Sequence, residues 1–297
     1  MTFFKRSKFA GFIGEKNKVP DGVWMKCSNC KQAVYRNEVA ENLQVCPACG
    51  FHFRIGARER LEKLLDHDTF EESHTNIGAA DPLHFAVGKE TYGERLVRAQ
   101  KESGMDEALL TGSGMIEGHR GIFGAMDARF IMASMGSAMG ERFCRAAMDA
   151  IDRRVCFVCF AASGGARMQE GTLALMQMAK TADAVRQMHE AGIPFISVLT
   201  DATTGGVYAS FTSLGDIIIA EPQANIGFAG KRLIESALKV KLPEGFQSAE
   251  YQFKNGFLDR IVKRSEMRPF LGKLIAYMDP QKAAAGVASL DASRIPL

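Results

Sequence analysis

At 297 residues and 46% apolar composition, the chain can hold one large domain with an appendage, or two modest domains. The formal net charge of +3 hides a polarity: residues 1–60 carry 11 Lys or Arg against 5 Asp or Glu, and the remainder is slightly acidic. No apolar run approaches the roughly eighteen residues of a membrane span, and Met1 to Lys18 is studded with Lys and Arg without the apolar stretch of a secretion signal, so a reducing cytoplasm is expected.

Residues 1–22 combine mixed charge with Gly11, Gly14 and a Pro20-Asp21-Gly22 turn, which predicts a flexible basic tail. Residues 23–56 hold Cys27, Cys30, Cys46 and Cys49, two C-x-x-C knuckles with fifteen residues between them. That spacing places four thiolates around one tetrahedral zinc ion and predicts a zinc ribbon. So small a module cannot offset its folding entropy by apolar burial, whereas metal coordination supplies on the order of 10 kcal/mol. Four cysteine ligands leave no open position for a catalytic water, so the zinc is expected to be structural. His52 lies outside the knuckles and is expected at the surface. The basic charge of this end suits nucleic acid, a phosphate-bearing ligand or an acidic partner, and charge alone does not choose among them.

From Ala57 to Leu65 the pattern is helical, and the stretch to about Gly104 offers short elements without strong periodicity. After Leu109, apolar runs alternate with Gly-rich turns. An apolar stretch from Gly121 to Met126 leads to a helix opening at Met135–Gly140 and running to about Ile151. Val155 to Ala161 reads as a buried strand. Cys156 and Cys159 lie three apart on it and point to opposite faces, so with Cys144 they are read as small apolar filler rather than a metal or redox pair. The loop Ser163-Gly164-Gly165-Ala166-Arg167 follows, then a helix from about Thr172 to Glu190, a strand from Pro194 to Leu199, the turn Thr203-Thr204-Gly205-Gly206-Val207, a short helix, and a strand from Asp216 to Ala220. This alternation predicts an α/β domain with crossover connections over residues 57–297.

The two Gly-Gly turns each follow a buried strand and precede a helix, which presents bare backbone N–H groups at helix N-termini. Two such donors from different strand ends would make an oxyanion hole for a thioester enolate. Neither turn matches a dinucleotide or P-loop fingerprint, and no G-x-S-x-G elbow is present. Ser163 has no identifiable base, and the six histidines fall outside the glycine loops. Arg167 and Glu170 read either as a surface pair or cap, or as contacts to an anionic substrate. Met168, Met176 and Met178 with Leu173 and Leu175 are expected in the core or at a subunit interface.

With these residues in place, the chain resembles the β subunits of the bacterial and plastid acetyl-coenzyme A carboxylase carboxyltransferase. The resemblance runs from about Gly22 to Arg268. It rests on the cysteine ribbon, Ser163-Gly-Gly-Ala-Arg-Met-Gln-Glu170, Leu175-Met-Gln-Met-Ala-Lys-Thr181, Ser197-Val-Leu-Thr-Asp201 with Thr203-Thr-Gly-Gly-Val207, Ile226-Gly-Phe-Ala-Gly230 and Leu242-Pro-Glu-Gly-Phe246. It implies a crotonase-like spiral of ββα units and carboxyl transfer from carboxybiotin to acetyl-CoA, giving malonyl-CoA for fatty acid synthesis. It further implies backbone donors among Gly165, Ala166, Gly205 and Gly206, substrate contacts at Gly164, Arg167, Gly227 and Gly230, and decarboxylated biotin as the base. One crotonase-like domain where related enzymes pair two implies a separate α subunit in an α₂β₂ assembly, with the biotin carboxyl carrier protein and the ATP-dependent biotin carboxylase as further partners. Lys231 departs from the proline expected after Gly230. The alternatives are a crotonase-type hydratase or isomerase, and a nucleic-acid-binding zinc ribbon on a non-catalytic or regulatory scaffold. The ribbon is expected near the coenzyme A entrance or the subunit interface.

Overall fold

The computed structural model describes residues 23–281, so the tail expected over residues 1–22 lies outside the described residues. The ribbon opens with β1 (Trp24–Lys26), antiparallel to β2 (Ala33–Tyr35), which runs directly into α1 (Arg36–Glu41). A Val45–His52 bridge closes the second knuckle. Apart from cysteine, only Val34 and Val39 of the ribbon cluster are buried, with Met25, Phe51 and Phe53 packed against them, so the module has almost no apolar core.

Beyond α2 (Ala57–Leu64) come β3 (Glu71–Ser73), the two-residue strands β4 (Ala86–Val87) and β5 (Glu90–Thr91), and α3 (Tyr92–Ser103). The last is a full helix in the stretch that offers little periodicity. A capping box starts it, with Thr91 Oγ1 accepting from the Glu94 N–H at 3.2 Å and Glu94 Oε2 accepting from the Thr91 N–H at 2.8 Å. Gly104, left-handed at φ +70°, ends it.

The antiparallel pair β6 (Leu109–Ile116) and β7 (His119–Met126) leads into α4 (Ser137–Arg153), one ββα unit. Then follow β8 (Cys156–Ser163), α5 (Gly171–Glu190), β9 (Phe195–Thr204), the four-residue α6 (Gly205–Tyr208), β10 (Ile217–Ala220) and β11 (Ile226–Gly227). α7 (Lys231–Leu238), α8 (Ala249–Lys254), β12 (Arg260–Ile261) and α9 (Arg264–Tyr277) complete the described chain. The sheet runs β12-β10-β9-β8-β7-β6-β3, parallel from β7 through β12, with β11 pairing beside β9.

Helices cover both faces, so the central strands are apolar on both sides. Along β8, Phe157, Cys159 and Ala161 enter the cluster packed by α4, with Phe143 and Phe195, whereas Cys156, Val158 and Phe160 enter the cluster of α2 and α9, with Leu61 and Leu271. The two cysteines are therefore on opposite faces, and burial pushes the Cys156 thiol up to about 12.

Candidate active site and metal centre

The sulfur atoms of Cys27, Cys30, Cys46 and Cys49 all lie within 4.8 Å of one another, and the Cys27–Cys49 separation is 3.8 Å. That separation is about the edge of a tetrahedron whose centre sits about 2.3 Å from each sulfur, so the donor set fits zinc. The first turn closes through the Lys31 N–H on the Cys27 carbonyl at 3.1 Å, the second through the Gly50 N–H on the Cys46 carbonyl at 2.9 Å. Gly50 has φ +71°, so a glycine suits this turn. Burial pushes the Cys46 thiol up to about 11. For Cys49, burial is outweighed by the Phe51 backbone N–H and the neighbouring thiols, and its thiol falls to about 6.

His52 is not a surface residue: it is 7% exposed, with Nδ1 3.5 Å from Glu221 Oε2. Glu221 follows β10 and is buried between two arginines and His52. Arg60 of α2 donates to its Oε1 at 2.6 Å, and Arg264, the first residue of α9, donates to Oε1 at 2.9 Å and Oε2 at 2.5 Å. Burial pushes the carboxyl upward, but Arg60, Arg264 and His52 together hold it well below the usual carboxylate range. Arg264 also donates to the carbonyls of Leu43 at 2.7 Å and Phe53 at 3.1 Å, which clasps the ribbon to the body. The cavity at this junction touches Phe53 and Arg54 on the ribbon side, and Met126, Ala162, Thr200 and Asp201 at the C-terminal ends of β7, β8 and β9. The ribbon thus docks at the end of the sheet that carries both glycine turns.

Those turns meet backbone to backbone. A Cβ built on Gly205 would lie 2.9 Å from the Gly165 Cα, and one on Gly165 would lie 3.3 Å from the Gly205 Cα. Both residues have positive φ, +115° at Gly165 and +61° at Gly205. Only the second turn opens a helix directly, because a 3₁₀ turn (Met168–Glu170) separates the first from α5. Most of the N–H groups are committed. Gly164 donates to the Met132 carbonyl at 2.9 Å, Gly165 to Ser163 Oγ at 3.0 Å and Gly205 to the Phe228 carbonyl at 2.9 Å. Ser163 Oγ itself donates to the Ala133 carbonyl at 2.7 Å, which makes it part of the turn rather than a nucleophile.

The N–H groups of Ala166 and Gly206 have no acceptor among the described residues. Ala166 pairs with Met135 only through its neighbours, since Met135 donates to the Gly165 carbonyl and accepts from the Arg167 N–H, both at 2.8 Å. Gly206 is the second residue of α6, where no intrahelical acceptor exists. A Cβ on Gly206 would lie 3.5 Å from the Ala166 Cβ, so the two residues are neighbours. Of the four expected donors, these two carry N–H groups without an acceptor among the described residues.

Arg167 is neither a surface cation nor open to a substrate. It is 0% exposed, bidentate to Glu107 with Nη1 to Oε2 at 2.9 Å, and it donates to the Ser134 carbonyl at 2.6 Å and to the Tyr92 hydroxyl at 3.2 Å. Burial alone would weaken its charge, but Glu107 and Tyr92 reverse the effect and raise its pKa. Glu170 is buried too, accepting from Tyr92 Oη at 2.9 Å and from the Ser137 N–H at the start of α4 at 2.6 Å. Ile131, Met132 and Ala133, the last two of which lend their carbonyls to the first turn, all have positive φ, 44°, 56° and 49°. For non-glycine residues this conformation costs about 1–2 kcal/mol each. The side chain of Gln247 covers Gly227 and donates to the Ala229 carbonyl at 2.7 Å, while a Cβ on Gly230 would meet open space.

The apolar residues beyond the first turn divide. Met178 packs against the core, but Met168 (67% exposed), Leu175 (56%) and Met176 (59%) stand in solvent with Leu173, and Met132 is exposed over Gly164. A cavity of about 350 Å³ lined by Arg120, Gly121, Arg153 and Val155 lies at the opposite, N-terminal ends of β7 and β8. No helix of the described residues is long and apolar enough to cross a membrane.

Residues 54–267 match the carboxyl transferase domain, and residues 24–49 match the acetyl-CoA carboxylase zinc finger domain. The chain is 46% identical over 277 residues to the acetyl-coenzyme A carboxylase carboxyl transferase subunit beta of Carboxydothermus hydrogenoformans, covering 93% of this chain and 98% of that one. It is 50% identical over 260 residues to the subunits beta/alpha protein of Natranaerobius thermophilus, covering 88% of this chain but spanning only 42% of that relative's length. Among solved structures, transcarboxylase 12S superposes with a TM-score of 0.63 at 23% identity over 74% of this chain and 41% of its own. A Pseudomonas malonate decarboxylase hetero-tetramer in complex with malonate gives 0.62 at 18% identity over 87% and 96%. These two likenesses establish the crotonase-like fold of the body. By its paired domains and its relatives, the chain belongs to the carboxyl transferase family, among the β subunits of acetyl-coenzyme A carboxylase carboxyl transferase.

Proposed function

We propose that this chain stabilises the enolate of acetyl-CoA during carboxyl transfer to malonyl-CoA, with the N–H groups of Ala166 and Gly206 on the developing oxyanion. The observation that carries this is the unpaired pair of neighbouring amides at two touching turns. An N–H already aligned and free of competing acceptors costs no reorganisation when charge develops, and one such donor is worth about 10²–10³ in rate. Carboxybiotin, delivered on a carrier protein, supplies the CO₂ that bonds to the enolate carbon and, once decarboxylated, the ureido nitrogen that takes the methyl proton. This accounts for the protein's own groups at the site: Arg167 and Glu170 are locked in a buried network, and Ser163 Oγ is spent on the turn.

The exposed stripe of Met132, Met168, Leu173, Leu175 and Met176 supports a second wall from an α subunit in an α₂β₂ assembly. Biotin carboxyl carrier protein and biotin carboxylase complete the proposed cytoplasmic complex, which commits acetyl units to fatty acid synthesis. Mixing the purified chain with its α subunit should give malonyl-CoA decarboxylation that depends on a biotin analogue. A correctly assembled mixture without turnover would overturn the reading.

A second reading concerns the ribbon alone. Trp24 and Tyr35 are exposed and pack edge to face at 5.7 Å, with Lys26 and Lys31 exposed on the same strand pair and its turn, an arrangement suited to stacking single-stranded nucleic acid. Salt-dependent binding that disappears on chelation supports it, and binding unchanged by neutralising Lys26 and Lys31 counts against it.

A further inference from the structure

We infer that Arg167, paired with Glu107, is a positioning residue for the enolate: it holds segment 131–135, whose first three residues are left-handed, against the first glycine turn and so fixes the direction of the Ala166 N–H. The inference rests on the proposed enolate reading and assigns work to a charge pair that the chemistry itself does not use.

Segment 131–135 is wrapped around the turn. The Met132 carbonyl takes the Gly164 N–H, the Ala133 carbonyl takes Ser163 Oγ, and Met135 bonds on both sides of Ala166. Ala166 is therefore oriented by its neighbours' bonds to this segment and by none of its own. Yet Ile131, Met132 and Ala133 sit in a conformation that isolated L residues avoid, so something must hold them there. Ser134 is the next residue: its N–H and Oγ–H close the segment on the Ile131 carbonyl at 3.1 and 2.8 Å, while its carbonyl accepts from Arg167 Nη2 at 2.6 Å and its Oγ accepts from Nε at 3.2 Å.

Arg167 in turn is fixed by the bidentate Glu107 and by the Tyr92 hydroxyl, whose own proton goes to Glu170, and Glu170 holds the Ser137 N–H. One guanidinium thus ties the strained segment, α3, the start of α4 and the loop bearing Ala166 into a single network in which Arg167, Glu107, Tyr92 and Glu170 are all 0% exposed. A lysine at position 167 keeps the charge but cannot donate to Glu107, Tyr92 and Ser134 at once in these directions.

The experiment uses the assembled carboxyl transferase carrying Arg167→Lys, with steady-state decarboxylation of malonyl-CoA and binding of ethyl-CoA, a thioether with no carbonyl oxygen. A donor displaced by about 1 Å costs up to about 10²-fold in rate. The expected result is a fall in kcat of about 10–100-fold, with KM and ethyl-CoA affinity within about twofold of wild type. An assembled Arg167→Lys enzyme with wild-type kcat, or one whose loss lies in KM, overturns the inference. Where Arg167→Lys fails to assemble, Tyr92→Phe decides, since it keeps the buried ring and removes only the hydroxyl: a fall in kcat of about 3–10-fold at steady KM supports the proposal, and an unchanged kcat overturns it. Wild-type enzyme inactive in the same assay would instead be a failure of the enolate reading itself.

Discussion

Gly165 and Gly205 lie so close that a single methyl on Gly205 would stand 2.9 Å from the Gly165 Cα, so the two motifs, forty residues apart in sequence, form one backbone surface. A Gly205→Ala chain must push the turns apart and hold alanine at φ +61°. The expected cost is about 1–3 kcal/mol of stability, with at least a 10²-fold loss of kcat in the assembled enzyme. Thermal melting and turnover measured together test this, and full turnover from a normally melting variant would contradict the geometry.

Glu221→Gln leaves Arg60 and Arg264 buried without their counter-charge. Breaking a buried pair in this way costs about 3–5 kcal/mol, to be read from urea unfolding at pH 7. Because the Glu221 carboxyl sits well below its usual range in the folded chain, its stabilisation is complete above the unfolded value of about pH 4.3 and is lost as pH falls toward the folded value. The wild-type midpoint should therefore drop more steeply below about pH 4.3 than that of the variant, and parallel acid limbs would count against this role.

Removing the metal should unfold the ribbon and leave the body standing, since neither large apolar cluster contains a ribbon residue. A chelator strong enough to extract one zinc per chain should abolish amide protection over residues 24–52 while β8 and β9 stay protected in hydrogen exchange. Loss of protection along β8 on chelation would refute the separation.

Leu175→Asp places a charge in the exposed apolar stripe without touching the core. The isolated chain should melt within about 1–2 °C of wild type, whereas association with the α subunit should weaken by at least tenfold in sedimentation, with activity falling in proportion. Unchanged association would move the proposed partner wall elsewhere.

Much of this fold is legible in the sequence, and the exceptions have physical causes. Cysteine spacing identifies the ribbon because ligand geometry is local, and Phe157–Phe160 reads as a strand because both sheet faces are covered. The helix Tyr92–Ser103 is obscured by its polar face, although Thr91 and Glu94 with Gly104 carry its start and stop signals. In the site, the glycines mark where backbone must come close, but not which N–H remains free. That depends on the Met132 and Phe228 carbonyls, which claim Gly164 and Gly205 from distant parts of the chain. Arg167 misleads for the same reason: its partner Glu107 is sixty residues away, so an apparent surface cation is a buried one.

The ribbon's clasp has a bearing on how the chain is made. Arg264 reaches back 221 residues to the Leu43 carbonyl, so this contact can form only after the whole intervening body has been synthesised. During that interval the ribbon cannot borrow stability from the guanidinium that later secures it. Metal capture can therefore precede docking, because all four thiolates emerge before the guanidinium that holds the ribbon to the body.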